Sequence, residues 1–204
     1  MANSDFSLAA ALILSCLAGA ATAATFSSLR EAFVVTASPL PGQVLKAGED
    51  NITVTWRLSS AVPGGAAAAY RTVDVKLCYA PVSQRDRAWR KTADNLEKDK
   101  TCQHTIVARR PYISSAGGAA STATAAVQKD VPTATYFVRA YAYDSGGEAV
   151  AYGQTTDGPK TAGLFHVEGV SGRHVSLEIA SACFSAFSLL SLLAFFYIEK
   201  RKSK

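Results

Sequence analysis

Residues 135–155 read TYFVRAYAYDSGGEAVAYGQT. Aromatic and β-branched residues dominate the first nine positions, a composition that is typical of a β-strand. The turn residues DSGG follow at 144–147, and residues 148–155 return to a strand-forming composition. Because a glycine-containing turn between two such runs favours antiparallel pairing, this stretch predicts a β-hairpin.

Other parts of the chain alternate apolar and polar residues with a period of two. Residues 52–58 (ITVTWRL) and 73–79 (VDVKLCY) place an apolar residue at every second position. This period indicates strands that bury one face. Residues 32–36, the run after Cys102 and residues 163–167 are weaker strand candidates.

About seven short strands over roughly 150 residues, without a long helix between them, favour an all-β domain. We predict an immunoglobulin-like antiparallel sandwich, of immunoglobulin or fibronectin III type, followed by one C-terminal transmembrane helix. Residues 113–126 (ISSAGGAASTATAA) are low in complexity. They predict a flexible loop or a poorly formed strand.

The N-terminal end of the chain is apolar over about a dozen residues, which is too short to span a bilayer. Small residues follow at 21–24, as at a signal-peptidase site. We therefore predict a secretory signal peptide at residues 1–23. A buried N-terminal helix is the alternative interpretation.

The C-terminal end predicts a membrane span. Residues 179–198 contain no charged residue, and as a helix they would cover ~30 Å, the thickness of the hydrocarbon core. The sequence EKRKSK at 199–204 follows, and its basic residues place this end in the cytoplasm. We predict an ectodomain at 24–175, a transmembrane helix at 176–198 and a cytoplasmic tail at 199–204, the arrangement of a type I single-pass protein. A glycosylphosphatidylinositol signal is the competing interpretation, but such signals end in their apolar segment.

The net charge of +5 at pH 7 is unevenly distributed. About three of these charges lie in the tail, where they suit an anionic lipid leaflet. The ectodomain mixes both signs of charge, so the basic balance does not indicate binding to nucleic acid.

Only two of the four cysteines, Cys78 and Cys102, fall in the predicted ectodomain. In an oxidising compartment such a pair most often forms a disulfide. Closing a loop of about 25 residues would stabilise the fold by roughly 3 kcal/mol. Two free thiols are the alternative. Asn51-Ile52-Thr53 is a sequon that follows a polar turn, so Asn51 is a predicted glycosylation site.

Residues 79–101, between the two cysteines and named here the disulfide loop, concentrate charge. Cys78 shares the parity of the polar positions in 72–76, so the bridge is predicted to fix this loop to the outside of the sheet. Trp89, Ala93 and Leu96 lie at i, i+4 and i+7, which predicts a short helix. Ser83 precedes it as a cap-like residue.

The charged residues of the disulfide loop are expected to face outward. The basic ones are Arg85, Arg87, Arg90, Lys91, Lys98 and Lys100, and the acidic ones among them are Asp86, Asp94, Glu97 and Asp99. Two interpretations remain open. The loop is either an ordinary solvated surface or a docking surface, since Arg and Trp are enriched at binding hot spots.

Little in the sequence indicates catalysis. The three histidines, His104, His166 and His174, share no metal-ligand spacing. No serine lies in a nucleophile-elbow context, and no glycine-rich loop joins a strand to a helix. We therefore expect neither an enzyme nor a protein that holds a cofactor or a metal.

The predicted transmembrane helix carries small residues along one face. They are Ser181, Ser185 and Ser188, with Ala182 and Ala186 beside them. Small residues at this spacing allow two helices to approach closely. This face is therefore a candidate for packing against a partner's helices, and an inert anchor is the alternative.

Four segments together resemble a known family. They are LCYAPVSQRDRAWRK at 77–91, EKDKTCQ at 97–103, DVPTATYFVRAYAYDSGGEAVAYGQ at 130–154 and FSAFSLLSLLAFFYIEKRK at 184–202. They are similar to the plant high-affinity nitrate transporter-activating proteins, the NAR2-type accessory subunits. The resemblance covers nearly all of the chain after the predicted signal peptide.

The resemblance implies a non-catalytic accessory subunit that does not carry nitrate itself. Such a subunit associates, as a hetero-oligomer, with a multi-pass high-affinity nitrate transporter at the plasma membrane. It further implies that partner-binding residues lie at Arg90 and Asp99, with Trp89 and Lys91 nearby. Arg90 is expected to donate to a partner carboxylate or carbonyl. Asp99 is expected to accept from a partner cation, or to orient Arg90 from within the loop.

The tail permits one more hypothesis. Lys200, Arg201 and Lys202, followed by Ser-Lys, fit a dilysine-type endoplasmic-reticulum retrieval pattern that partner binding would mask. An ordinary basic stop-transfer flank is the alternative. The rival function for the whole chain is an extracellular adhesion or receptor-like ligand-binding module, because immunoglobulin-like ectodomains host many functions.

Overall fold

The structure, a computed structural model, describes residues 24–113, 119–172 and 175–202. Ten β-strands and one long helix, α1 (Val175–Lys202), lie within these residues. The strands are β1 (Arg30–Glu31), β2 (Phe33–Ala37), β3 (Val44–Lys46), β4 (Asn51–Leu58), β5 (Thr72–Tyr79), β6 (His104–Pro111), β7 (Ser121–Ala126), β8 (Ala134–Tyr143), β9 (Ala149–Gln154) and β10 (Phe165–Glu168).

The larger of two sheets has seven strands arranged around the ten-residue β8. β5 pairs antiparallel with β8, with Thr72 opposite Tyr143 and Tyr79 opposite Tyr136. On the other side of β8, β10 pairs with its first residues and β9 with its second half, which forms the predicted hairpin. β6 extends the sheet beyond β5, and β1 and β3 add short parallel pairs to β9 and β10.

The smaller sheet has the order β2–β4–β7 and is antiparallel throughout. Its third strand comes from the low-complexity stretch, where residues 121–126 form a regular strand rather than a loop. Ala123 of β7 is buried, and the hydroxyl of Thr124 lies 2.8 Å from that of Thr53 on β4. The alternation here is between alanine and threonine, which is why the apolar signal was weak.

The chain passes from one sheet to the other at Ala32, which is fully buried. Its N–H donates to the carbonyl of Tyr152 in β9 (2.8 Å), and its carbonyl accepts from the N–H of Ser59 after β4 (2.8 Å). The sheets approach closely at this corner. A Cβ on Gly153 would lie 2.2 Å from the carbonyl oxygen of Phe33, so no other residue fits there.

The hydrophobic core fills the space between the two sheets. β4 contributes the buried side chains of Ile52, Val54 and Trp56, as their alternation predicts. The larger sheet contributes Val73, Val75, Leu77, Tyr136, Val138, Ala140, Phe165 and Val167. The prediction of an immunoglobulin-like β-sandwich with one C-terminal helix is confirmed. The structure has ten strands where about seven were expected. The additional ones are β1 and β3, whose two and three residues are too short to show a period, and β7, which lies in the low-complexity stretch.

β8 is buried on both faces, which sets the larger sheet apart from a sheet with one solvated face. Its outward-facing Phe137, Arg139 and Tyr141 are all less than 5% exposed. Phe26 lies against the Arg139 guanidinium, and Cys102 of the disulfide contacts Arg139 and Tyr141.

Helix α1 has exposed side chains along its whole length and is long and apolar enough to cross a membrane. It is the single such helix in the described part of the chain. It contains the predicted span at 176–198 and continues to Lys202. The predicted signal peptide at 1–23 lies outside the described residues.

Candidate partner-binding site

The disulfide between Cys78 and Cys102 fixes the two ends of the disulfide loop, with an S–S distance of 2.02 Å. Cys78 is fully buried on the outward face of β5. That face is the one that points away from the core, so the bridge joins the loop to the outside of the larger sheet rather than sheet to sheet.

Hydrogen bonds hold the interior of the loop. The carboxylate oxygen Oδ1 of Asp99 accepts from the N–H of Ala93 (3.2 Å), the N–H of Thr101 (3.1 Å) and the hydroxyl of Thr101 (2.6 Å). Thr92 bonds through its hydroxyl to the side chains of Gln84 (2.9 Å) and Thr101 (2.8 Å). Asp99 therefore orders the loop backbone, and it does not form an ion pair with Arg90 in the described residues.

Arg90 is buried, which corrects the expectation that it faces outward. Only 7% of its surface is exposed. Its guanidinium lies 4.3 Å from the centroid of the Tyr79 ring, and Nη1 donates to the carbonyl of Ser83 (3.3 Å). Its Nε is buried without a hydrogen-bond partner among the described residues. A cation that stacks on an aromatic ring can be buried away from water even when no carboxylate pairs with it.

The predicted helix in the loop is also wrong. Residues 81–83 and 88–90 form single 3₁₀ turns, and no α-helix is present within the loop. Ser83 caps no helix: it is buried, and its hydroxyl accepts from the N–H of Thr135 in β8 (2.8 Å). The i, i+4, i+7 pattern fails because Leu96 is engaged elsewhere, its N–H donating to the carbonyl of Ala24 (3.0 Å).

Trp89 is the large apolar side chain that the loop presents to solvent, with 63% of its surface exposed. Its backbone is held firmly, since its carbonyl accepts from the side-chain amide of Gln103 (2.6 Å). Lys91 beside it is exposed, and its carbonyl accepts from the N–H of Lys100 (3.1 Å). Arg85 and Arg87 are exposed as predicted. The result is an ordered turn with an aromatic residue among cations.

The N-terminal residues 24–29 form hydrogen bonds with the disulfide loop at Asp94 and Asn95. The N–H of Phe26 donates to the carbonyl of Asp94 (2.6 Å), and Ser27 donates to its carboxylate through N–H and hydroxyl (both 2.8 Å). Thr25 forms an isolated antiparallel bridge with Asn95. This attachment was not predicted, because no local pattern in the segment ATFSSL indicates a contact with residues about 70 positions away.

Arg139 on β8 is a second buried cation, and its burial was not predicted from the sequence. Its guanidinium lies 4.3 Å from the ring centroid of Phe26 and 5.2 to 5.8 Å from those of Phe137, Tyr141 and Tyr152. It donates to Gln154 Oε1 (2.9 and 3.2 Å) and to the Tyr141 hydroxyl (3.0 Å). The four rings form a cage around the Arg139 guanidinium. Nη1 of Arg139 also donates to Cys102 Sγ (3.7 Å), so the cage contacts the disulfide.

Two ionisable groups near Arg139, Lys160 and Tyr141, have shifted pKa values. Burial lowers the pKa of Lys160, an effect that nearby Arg139 strengthens and Asp99 opposes. Burial raises the pKa of Tyr141, which the Arg139 charge partly offsets. An open pocket of about 280 Å³ lies between the loop and the sheet. Its lining includes Lys76, Glu97, Asp99, Tyr141, Tyr143 and Glu148.

His104, at the start of β6, lies next to the Arg90 stack. Its Nε2 is 3.0 Å from the hydroxyl of Tyr79. Burial lowers the pKa of His104, Asp130 opposes this effect, and the positive charge of Arg90 adds to it. In the described residues, no group of three or more His, Cys, Asp or Glu side chains is placed to hold a metal ion.

The remaining predicted residues lie outside the disulfide loop. Asn51 is exposed and begins β4, opposite Ala126 on the smaller sheet. The small residues of α1 are all exposed, and Ser181 bonds back to the carbonyl of Glu178 (2.9 Å). In the tail, the Arg201 guanidinium lies 5.2 Å from the Tyr197 ring.

Together, these features define the class of protein: an immunoglobulin-like domain with a disulfide-fixed surface loop, joined to one helix long enough to span a membrane. The family model of the high-affinity nitrate transporter accessory proteins, NAR2, Ig-like domain, matches residues 26–172. The chain belongs to this family.

Curated relatives agree with this assignment. The chain is 53% identical to high-affinity nitrate transporter 3.1 of Arabidopsis thaliana over 164 residues, 80% of this chain and 75% of the relative. It is 49% identical to high-affinity nitrate transporter-activating protein 2.1 of Oryza sativa subsp. japonica over 183 residues, 90% of this chain and 84% of the relative. These names support an accessory role in high-affinity nitrate transport and associate the family with a nitrate transporter.

Solved structures are more distant. A Niemann-Pick type C2 protein from Japanese carpenter ant matches with a TM-score of 0.34 at 10% identity, over 71% of this chain and 97% of that one. Fibronectin(III)-like modules of Clostridium thermocellum CbhA match with a TM-score of 0.28 at 16% identity, over 67% of this chain and 47% of that one.

Proposed function

We propose that this chain is a non-catalytic accessory subunit that binds a multi-pass high-affinity nitrate transporter at the plasma membrane and activates, stabilises or delivers it. The observation that carries the proposal is Trp89, which an ordered turn presents to solvent among Arg85, Arg87 and Lys91. A preorganised aromatic and basic surface costs little entropy to bind, and such residues dominate interface energies.

The structure supports different roles for the four residues implied by the family resemblance. Trp89 and Lys91 are exposed and are proposed to contact the transporter directly. Arg90 and Asp99 are proposed to act from beneath, as positioning residues that fix the turn through the Tyr79 stack and the loop hydrogen bonds. A change at either residue would then weaken binding by loosening the surface rather than by removing a contact.

Helix α1 is proposed to anchor the chain as a type I protein and to pack its small-residue face on the transporter. Ser185→Leu with Ala186→Leu would block close approach and lower co-purification of the transporter several-fold. Leu189→Ala with Leu192→Ala is the matched control. Unchanged co-purification by the bulky variant would make the helix an inert anchor.

The tail is proposed to retain unpartnered chains in the endoplasmic reticulum. Lys200→Ala with Lys202→Ala is expected to bring chains that lack a transporter to the cell surface, measured by labelling of the intact cell. An unchanged location would leave the tail as a stop-transfer flank.

The test of the whole proposal is uptake of labelled nitrate at low micromolar concentration in a heterologous cell. The cell would express this chain alone, a candidate transporter alone, or both. Uptake only with both establishes the accessory role. If the pair takes up no more than the transporter alone across several transporters, the receptor-like ligand-binding module becomes the better interpretation, with the pocket beside the loop as its first site to test.

A further inference from the structure

The position of α1 in the chain determines which end of the domain lies next to the membrane. β10 ends at Glu168, and six residues separate it from Val175, where α1 begins. A fully extended chain of this length reaches at most about 25 Å. If α1 spans the bilayer, the end of the sheet where β10 terminates is therefore held close to the membrane surface.

The disulfide loop starts at that same end. β8 is antiparallel to both β10 and β5, so β8 begins, and β5 ends, where β10 ends. Two hydrogen bonds trace the connection. The N–H of Gly169 donates to the hydroxyl of Thr133 (2.9 Å), and the N–H of Thr135 donates to the hydroxyl of Ser83 (2.8 Å). The first turn of the loop is thus next to the residue where the chain leaves for the membrane.

The chain segments at this end carry exposed apolar side chains. Val82 is 54% exposed, Trp89 63% and Val170 61%. Val82 belongs to the 3₁₀ turn that begins the loop, Trp89 to the next turn, and Val170 to the link to α1. Arg85 and Arg87 lie exposed between the first two. Tryptophan with basic neighbours suits the boundary between hydrocarbon and water.

We infer that this membrane-facing end, formed by the turns at 81–83 and 88–91, contacts the extracellular ends of the transporter's transmembrane helices. The inference rests on the proposed function and adds to it where on the partner the contact falls. A helix anchored beside the transporter raises the effective concentration of the adjacent turns, and it does so less for the far end of the domain. The far end carries the β8–β9 turn at Ser145 and the last residues of β4.

A bulky glycan placed on one end of the domain tests this inference. Pro81→Asn creates a sequon with Val82 and Ser83, on an exposed residue of the membrane-facing turn. Arg57→Asn creates a sequon with Leu58 and Ser59, on an exposed residue of the smaller sheet near its far end. Each variant is made in the full chain, and a mobility shift reversed by glycosidase shows that the glycan is attached. Glycosidase treatment of the Pro81→Asn variant before binding removes the glycan and controls for the substitution itself.

Transporter co-purification is expected to fall at least tenfold with the glycan at position 81, to rise again when that glycan is removed, and to stay at the wild-type level with the glycan at position 57. Full co-purification with the glycan at position 81 overturns the inference. So does an equal loss with the glycan at position 57. If wild type and all variants fail alike to bind any transporter, the proposed function itself fails and the inference with it.

A second measurement keeps the inference testable if the new sequons stay unmodified. A photo-crosslinking residue replaces Trp89 in one full-length variant and Ser145 in another, each co-expressed with the transporter. We expect crosslinks to the transporter from position 89 and none from position 145, mapped by mass spectrometry to the extracellular helix ends. Crosslinks from position 89 to lipid alone would assign the surface to the membrane and overturn the inference, as would transporter crosslinks from position 145.

Discussion

The guanidinium of Arg90 lies over the ring of Tyr79, 4.3 Å from its centroid, and the arginine is buried there. Tyr79 ends β5 one residue after Cys78, so the stack and the disulfide fix the start of the loop to the same point of the sheet. An arginine in a loop crowded with charge is therefore part of the fold. Replacing this buried arginine should therefore affect stability in a way that replacing the exposed Lys91 beside it does not.

Charge reversal should affect the stability of the domain at Arg90 but not at Lys91. Arg90→Glu removes the stack and buries a carboxylate, which we expect to cost about 2 kcal/mol or more. For a domain of this size that lowers Tm by roughly 4–8 °C. Lys91→Glu changes an exposed charge and should leave Tm unchanged while weakening transporter co-purification. Thermal unfolding of both full-length variants in detergent is the measurement.

Arg90→Lys serves as the control for charge at that position. It keeps the cation but loses the planar group that stacks, so we expect an intermediate Tm. If Arg90→Glu unfolds at the wild-type temperature, the burial of Arg90 is not important for stability and a direct contact with the partner becomes the better explanation of its role.

Loss of the disulfide should release the loop while leaving the core composition untouched. Cys78→Ala with Cys102→Ala removes a constraint of about 3 kcal/mol in the chain-entropy model. We expect lower abundance, faster proteolysis within residues 79–101 and loss of transporter co-purification. Cys183→Ser, on the exposed surface of α1, is the matched control and should change none of these. Equal protease resistance of the double variant and wild type would contradict the prediction.

Acid should destabilise the domain through His104. Burial lowers its pKa below the ordinary value of 6.5, so the unfolded chain binds the proton first as pH falls. The free energy of unfolding should therefore decrease as pH falls below 6.5, down to the pKa of the folded state. His104→Gln should flatten this part of the pH profile, measured by denaturant unfolding from pH 7.5 to 5. His166→Gln, in β10, is the matched control. An unchanged slope in the His104 variant would refute the assignment.

Asn51 should carry an N-linked glycan. Its side chain is exposed at the start of β4, on the smaller sheet, whereas the disulfide loop is fixed to the larger sheet. Asn51→Gln should raise electrophoretic mobility to that of the glycosidase-treated wild type, without changing transporter co-purification. Asn95→Gln, which lies outside any sequon, should leave mobility unaffected. Identical mobility of wild type before and after glycosidase treatment would show that Asn51 is unmodified.

The sandwich could be predicted from the sequence because apolar and polar residues alternate in its central strands, and the apolar ones face the core. Ile52, Val54 and Trp56 face the core as their period requires. The parity of Cys78 placed the disulfide on the outward face of β5. β7 was harder to find, since Ala123 is small and the outward residues are threonines, so burial there depends on pairing with β4 rather than on strong hydrophobicity.

The loop and the buried arginines could not be predicted from local pattern. Arg90 and Arg139 are charged residues at positions that look solvent-facing, and what buries them comes from elsewhere in the chain. Tyr79 supplies the surface for Arg90, and Phe26 closes the cage of Arg139. Propensity and periodicity describe neighbours along the chain, whereas these contacts join residues whose proximity exists only after folding.

The central position of β8 has a consequence for biosynthesis. β5 and the disulfide loop leave the ribosome well before β8 exists, yet β8 is the strand that pairs along the full length of β5, with Tyr79 opposite Tyr136. The nascent chain therefore leaves one edge of β5 unpaired, with β6 on the other edge, until residues 134–143 arrive, and such distant pairings slow folding. We expect folding to depend on chaperones until β8 is synthesised, and a Cys78–Cys102 disulfide formed before then to shorten the search for the β5–β8 pairing.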